Sequence, residues 1–248
     1  MRLSKVIPKP IKHLFKKVMT QAQGFFYAGK YRYCPICEKS SRKFGAAGSP
    51  LRQDCRCMQC GSGERHRLVW LYFKRKTNLF YNRVLHVLHV APELVFVNKF
   101  KAQFEKGYVT ADLFDTNAMV KMDITNIQMV DETFDVIYCS HVLEHVPDDK
   151  KAMREFLRVL KPNGWAVLLV PVDAEKTIED ISITNLQERL EKFGDVDHVC
   201  CYGPDFKGGL EEAGFKVTLN TPADFLTPQE IVYMGITSAA GDVYFCTK

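Results

Sequence analysis

The stretch RVLHVLHVAPE, residues 83–93, is a run of valine and leucine interrupted by histidines that ends in a proline-containing bend. A short run of this kind reads as a strand buried inside a sheet, and the bend after it is where a nucleotide-type cofactor site would normally place several glycines. Here the bend is glycine-free: His89, Val90, Ala91, Pro92 and Glu93 take those places. Downstream, YVTADL, VKMDI, FDVIYCSH and WAVLLVPV have the same strand character, separated by helix-like runs in ELVFVNKFKAQFEK and DDKKAMREFLRVL. Short strands alternating with helices pair in parallel through right-handed crossovers, which predicts an α/β fold, a doubly wound, mostly parallel sheet. Such sheets bind ligands at the carboxyl ends of their strands.

Polar residues stand at those ends. Asp112 closes YVTADL, 19 positions after Glu93, close to the interval at which an acidic side chain meets the ribose of a nucleotide cofactor. Asp123 closes VKMDI, and Ser140, His141, Glu144 and His145 follow the next strand. Each acid also has a plainer use: Asp112 and Asp123 can cap the turns after them, and Asp148 can cap the helix DDKKAMREFLRVL. That helix presents Met153, Phe156, Leu157 and Leu160 as an apolar stripe and is scaffold. Acid, acid and a His/Glu-rich loop at successive strand ends is an order that capping alone does not arrange.

Upstream, Cys34 and Cys37 form one C-x-x-C and Cys57 and Cys60 a second, after a 19-residue spacer. Two such pairs offer the four thiolates of a tetrahedral structural Zn²⁺ site, which leaves no open position for water activation. Cys55 is an alternative ligand with poorer spacing. Lys39, Arg42, Lys43, Arg52, Arg56, Arg65, His66 and Arg67 lie in or beside this knuckle and could form a nucleic-acid grip, although a solvated charged loop is the commoner meaning. The remaining cysteines lack ligand spacing and read as packing residues.

Residues 1–33 hold eight Lys or Arg and no acidic residue, so against a net charge of +5 the remaining 215 residues carry 26 basic and 29 acidic side chains, or −3. A nucleic-acid substrate therefore gains nothing from the charge of the body. Ile11, Leu14, Phe15, Val18, Ala22 and Phe25 recur at helical spacing in the basic segment, which predicts an amphipathic helix that packs on the protein or makes peripheral contact with an anionic membrane face. No apolar run approaches the roughly 18 residues of a membrane span, and no secretory signal is apparent, so the expected address is cytoplasmic, with the inner membrane face as a peripheral option. The expected domains are the basic helix over 1–30, the zinc knuckle and a connecting helix over 31–80, and a catalytic domain over 81–248.

With these residues in place, DETFDVIYCSHVLEHVPDDKKAMREFLRVLKPNGWAVLLVPVD resembles the fourth strand, helix and fifth strand of class I S-adenosylmethionine-dependent methyltransferases of the type 11 kind, with LKPNG for the usual LKPGG. The cysteine knuckle, CGSGERHR, HVAPE, DHV and YG are similar to a narrower bacterial group of these enzymes. The resemblance implies a seven-stranded Rossmann-like sheet and S-adenosylmethionine as cofactor. It places the cofactor loop on His89, Ala91, Pro92 and Glu93, the ribose acid on Asp112, an adenine contact on Asp123 with Ile124, and the methionine rim on Ser140 and His141. The family's loop is acid-x-Gly-x-Gly; here His89 replaces the acid, and Glu93 could receive the cofactor's ammonium instead.

Methyl transfer needs an acceptor atom held in line and, for a hydroxyl acceptor, a base. His198 beside Asp197 is the first choice of base, with His141 and Glu144 on the other loop. A small-molecule or saccharide acceptor is the leading expectation; an RNA methyltransferase presenting RNA on the knuckle, or a non-catalytic zinc-bearing interaction module, are the alternatives.

Overall fold

The computed structural model describes residues 27–48 and 50–248, so the expected amphipathic helix lies outside the described residues. In chain order the elements are β1 (Arg32–Cys34), β2 (Lys39–Ser41), β3 (Gly45–Ala47), β4 (Arg52–Arg56), α1 (Glu64–Lys76), β5 (Val87–Val90), α2 (Leu94–Phe104), β6 (Tyr108–Asp112), β7 (Val120–Lys121), β8 (Phe134–Ser140), α3 (Asp149–Val159), β9 (Leu160–Leu169), β10 (Ile178–Glu179), α4 (Leu186–Phe193), β11 (Cys200–Cys201), α5 (Phe206–Glu212), β12 (Lys216–Asn220), α6 (Pro228–Tyr233) and β13 (Val243–Thr247). They form two compact units, one running to Leu71 and taking in Leu226–Ala240, the other comprising Tyr72–Phe225 and Gly241–Lys248. A division into consecutive stretches does not anticipate that the segment 226–240 belongs with the cysteines. No described helix is long and apolar enough to cross a membrane.

The larger unit is built on a seven-stranded sheet in the order β12-β13-β9-β8-β5-β6-β7. Only β13 runs antiparallel to its neighbours, so the sheet is the mostly parallel one expected from the strand–helix alternation. All of β5 is buried because helices cover both faces. On one face Leu88, Val90, Ile137, Cys139, Ala166 and Leu168 pack with Met153, Phe156 and Val159 of α3. On the other, alternate residues of the same strands meet an aromatic layer, in which Phe96, Phe100 and Phe104 form the buried stripe of α2. The Phe73 ring meets Tyr138 edge-on at 5.3 Å, and Phe96 stacks on Phe100 at 5.5 Å.

Asp148 caps α3 as expected, its Oδ1 accepting the Lys151 amide at 3.0 Å. The helix stripe is shifted from the expected one: Ala152 and Val159 are buried with Met153 and Phe156, whereas Leu160 has already entered β9 opposite Phe134.

The smaller unit has two antiparallel hairpins, β1–β2 and β3–β4. Its interior holds Arg67, fully buried although its sequence neighbourhood reads as a basic surface. The guanidinium donates to four carbonyls, those of Met234 (2.6 Å), Ser62 (2.9 Å), Cys55 (2.9 Å) and Gly235 (2.7 Å), and lies 4.3 Å over the Phe44 ring. A buried charge persists only when its donors are met, and here each acceptor is a backbone oxygen that would otherwise be stranded. Arg67 thus cannot serve the nucleic-acid grip considered for it. Gly235 sits at φ 59°, where a Cβ would come within 2.9 Å of Phe44, so the approach of the 226–240 segment to this ring requires glycine.

Arg67→Ala is expected to destabilise the protein by roughly 3 kcal/mol or more, because it strands several buried carbonyls at once. An unchanged urea-unfolding midpoint would contradict this account.

Candidate cofactor cavity and cysteine cluster

The sheet changes winding direction at β5, which is flanked by β6 on one side and β8 on the other. At the carboxyl ends of β5 and β8 the chain turns through two non-glycine residues with positive φ, Ala91 at 45° and His141 at 55°. Both are fixed by neighbouring strands: the Ala91 amide donates to Ala111 O at 2.9 Å and the His141 amide to Leu169 O at 2.8 Å. Turning sharply here leaves a cavity of about 950 Å³ above the strand ends. This is the crevice in which doubly wound sheets bind ligands.

Six of the expected residues line it: Ala91, Asp112, Asp123, Ile124, His141 and Asp197. Both acids have double duty. Asp112 Oδ1 accepts the amides of Phe114 and Asp115, each at 2.7 Å, and Asp123 Oδ1 accepts the Thr125 amide and hydroxyl, each at 2.8 Å. Among the described residues Oδ2 of each has no protein donor. Capping, one of the two uses posed in the sequence, thus occupies only one oxygen of each carboxylate.

Leu113, Phe114, Met122 and Thr125 also line the cavity, and the sequence reading passed over them. Phe114 is 87% exposed, an aromatic ring left in water at a cavity wall. The apolar pair directly after the acid that closes YVTADL was the available signal.

His89, Pro92, Glu93 and Ser140 do not line it. The His89 side chain is fully buried on the aromatic face, Nδ1 lying 2.8 Å from Tyr108 Oη and Nε2 2.8 Å from Glu93 Oε2. The carboxylate can only accept, so Nε2 carries the proton and Nδ1 accepts from the tyrosine. Burial first, then the Glu93 charge, raises the Tyr108 phenol above its ordinary range, which keeps it a donor. Tyr138 donates to the other Glu93 oxygen at 3.1 Å. Glu93 is therefore engaged in this network, and the expected salt link from its carboxylate to a cofactor ammonium is not what the geometry provides. Ser140 is buried behind the rim.

The far rim gathers the candidate bases. His141 Nδ1 lies 3.5 Å from Glu144 Oε1, and the His145 and His198 rings meet edge-to-face at 4.7 Å. His145 and Asp197 line the cavity, whereas His198 and the buried Glu144 stand behind them. Burial lowers the His198 pKa, so its imidazole is neutral at neutral pH. The sequence put His198 first; tertiary packing puts His145 nearer the cavity.

In the smaller unit the Sγ atoms of Cys34, Cys37, Cys57 and Cys60 lie within 4.8 Å of one another. The two pairs are built alike. The amide following each pair bonds back to its first cysteine, Glu38 N to Cys34 O and Gly61 N to Cys57 O, both at 2.8 Å, and Glu38 and Gly61 share positive φ. Cross-pair Sγ separations are 3.6 Å for Cys34–Cys60 and 3.8 Å for Cys37–Cys57. Ser62 Oγ lies 3.2 Å from both Cys34 and Cys60 sulfurs. Cys55 is turned away, donating to the Ala47 and Arg52 carbonyls, which removes it as an alternative ligand. Bonds from Cys37, Cys57 and Cys60 pull the Cys34 thiol far below its ordinary pKa, so the cluster favours a thiolate.

A family model described as a methyltransferase domain matches residues 59–168, the span that contains β5 to β8, all but the last residue of β9, and both cavity acids. Over that span the chain is similar to methyltransferase domains. Among solved structures, this chain is similar to the [4+2]-cyclase SpnF at 13% identity and TM-score 0.50, over 96% of this chain and 94% of that one. It is also similar to an S-adenosylmethionine-dependent methyltransferase from Archaeoglobus fulgidus (17% identity, TM-score 0.48, 75% of this chain and 95% of that one). A third is the YcgJ protein from Bacillus subtilis (15%, 0.48, 73% and 94%). The likeness to a cyclase is one of fold, so the chemistry of this chain has to be argued from its site.

Ala91 stands in the left-handed region, at a position where the resemblance implies glycine, in a conformation that costs an L-residue roughly 1–2 kcal/mol. Ala91→Gly is expected to raise stability by about 1 kcal/mol, since it removes that strain at the cost of some chain entropy. A lowered melting temperature would show that the Ala91 methyl is packed rather than strained.

Proposed function

We propose that this methyltransferase binds S-adenosylmethionine in the cavity above β5, β6 and β8 and methylates a hydroxyl of a small-molecule or saccharide acceptor. The observation that carries this reading is the pairing, at one sheet switch point, of Asp112, whose Oδ2 is left for a ligand, with the exposed ring of Phe114. A carboxylate oxygen suits a ribose hydroxyl, and Phe114, Leu113, Met122 and Ile124 supply apolar surface for a purine. Asp123 stands where it could accept from an amino group on the purine edge. The donor brings a methyl group already activated by a sulfonium. What the chain must add is position, exclusion of water and a place for the acceptor's proton. His141 and Asp197 supply that place at the rim opposite the acids.

The small-molecule acceptor is favoured over RNA because the chain beyond residue 33 carries a net charge of −3. Arg67 is internal, Arg52 pairs with Glu64 at 2.9 Å, and Arg32 pairs with Asp54 at 2.6 Å. Of the expected basic grip Arg52 and Arg67 are thus taken, whereas Lys39, Arg42, Lys43 and Arg56 stay exposed. The four cysteines are assigned to a structural Zn²⁺. Sulfurs about 2.3 Å from one ion at tetrahedral angles lie about 3.8 Å apart, which the cross-pair separations already approach.

Asp112→Ala is expected to weaken S-adenosylhomocysteine binding about tenfold to a hundredfold in calorimetric titration, with the circular dichroism retained. Unchanged affinity would remove Asp112 from the site. Metal analysis of the purified chain should find about one zinc held by the knuckle, and Cys37→Ser should lose it. Zinc retained in that variant would contradict the assignment.

A further inference from the structure

We propose that Glu144, His145 and His198 hold a divalent metal ion at the rim of the cofactor cavity, with open coordination positions that take an oxygen of the methyl acceptor. One ligating atom from each of the three lies within 4.8 Å of the other two. Ligands about 2.1 Å from a common ion sit roughly 3 Å apart when adjacent, so modest side-chain closure completes the site.

The second observation is how the two imidazoles are held. His145 Nδ1 lies 3.1 Å from the Asp197 carbonyl oxygen, and His198 Nδ1 lies 3.1 Å from that of Phe193. A carbonyl oxygen only accepts, so both rings carry their proton on Nδ1 and keep a bare lone pair on Nε2. This is the outer bond that fixes the tautomer and orientation of metal-ligating histidines. Neither ring is held by chance of side-chain contact alone, because the Val199 amide donates to Glu144 O at 2.9 Å and pins the His198 loop to the turn bearing Glu144 and His145.

The third ligand is a carboxylate only 1% exposed. Its Oε1 already lies 3.5 Å from His141 Nδ1, and a divalent ion would add a stronger opposite charge in a medium of low dielectric. Two imidazoles and one carboxylate suit Zn²⁺, Mn²⁺ or Fe²⁺ and leave coordination positions open, in contrast to the closed thiolate set of the knuckle. His145 lines the cavity, so those positions adjoin the space left for the acceptor. An acceptor hydroxyl, or two adjacent hydroxyls as in a diol, is the ligand class that would fill them and lose a proton more readily there. The acceptor part of this inference rests on the methyltransferase reading; the metal site itself does not.

The test uses the full chain with its knuckle loaded with zinc and MnCl₂ as probe, following loss of the free Mn²⁺ resonance by electron paramagnetic resonance. About one Mn²⁺ per chain is expected to bind, with His145→Ala, His198→Ala and Glu144→Gln each weakening it by more than about tenfold. His145 is exposed, so its variant keeps the test decisive if the buried substitutions disturb folding. No Mn²⁺ binding to the native chain at millimolar metal, or affinity unchanged in His145→Ala, overturns the inference. A parallel titration of the native chain with S-adenosylhomocysteine separates the two claims. Homocysteine-nucleoside binding without Mn²⁺ binding sinks the metal site alone; Mn²⁺ binding without the nucleoside sinks the methyltransferase reading alone.

Discussion

The imidazole of His89 stands in a fully buried position and is satisfied on both nitrogens, by Tyr108 and by Glu93. Glu93 is the residue at which α2 begins, and its carboxylate also accepts from Tyr138 on the adjacent strand. One polar network therefore ties β5, β6, β8 and the start of α2 together beneath the bend that carries Ala91. A buried polar group left without its partner costs more than the bond itself contributes, so the bend can take few other shapes. The cavity over the strand ends exists because this turn is held tight from below.

The same logic explains why the loop dispenses with glycine. A phosphate-binding loop needs several backbone amides free to approach its ligand, but a sulfonium nucleoside carries no phosphate. Ala91 and His141 each accept the left-handed backbone, and each is locked there by an amide bond to a neighbouring strand. Strain of this kind persists only where the surroundings over-determine it, and here it occurs on both sides of the switch point. Polarity is then divided across the cavity, with the acids Asp112 and Asp123 on one side and the imidazoles with Asp197 on the other.

The smaller unit depends on a different buried group. Arg67 satisfies carbonyls from Cys55, Ser62, Met234 and Gly235, so the cysteine turns and the 226–240 segment share one guanidinium. Ser62 also reaches the sulfurs of Cys34 and Cys60, which places Arg67 one residue away from the cluster it supports. A cluster of four thiols and an internal arginine serve one end, the fixing of a loop-rich unit too small to be secured by apolar burial alone.

Strand–helix alternation, the paired C-x-x-C spacings and the order of acids at strand ends were legible in the sequence because each is a local pattern with a local cause. Period-2 burial, thiolate turns and helix caps all act within a few residues. The direction of His89 was not legible. A strand sends alternate side chains to opposite faces, and only the packed sheet decides that His89 faces the aromatic layer while the cavity opens beyond Val90 and Ala91. The choice between His145 and His198, and the internal place of Arg67, likewise depend on contacts between residues far apart, 167 positions in the case of Arg67 and Met234. By itself the sequence determined the α/β class, the methyltransferase resemblance, the four candidate ligands and the acids Asp112 and Asp123. Tertiary structure alone decided which polar side chains face the cavity and which are consumed in holding it open, because desolvation forces each buried polar group onto whatever partner the fold brings within reach.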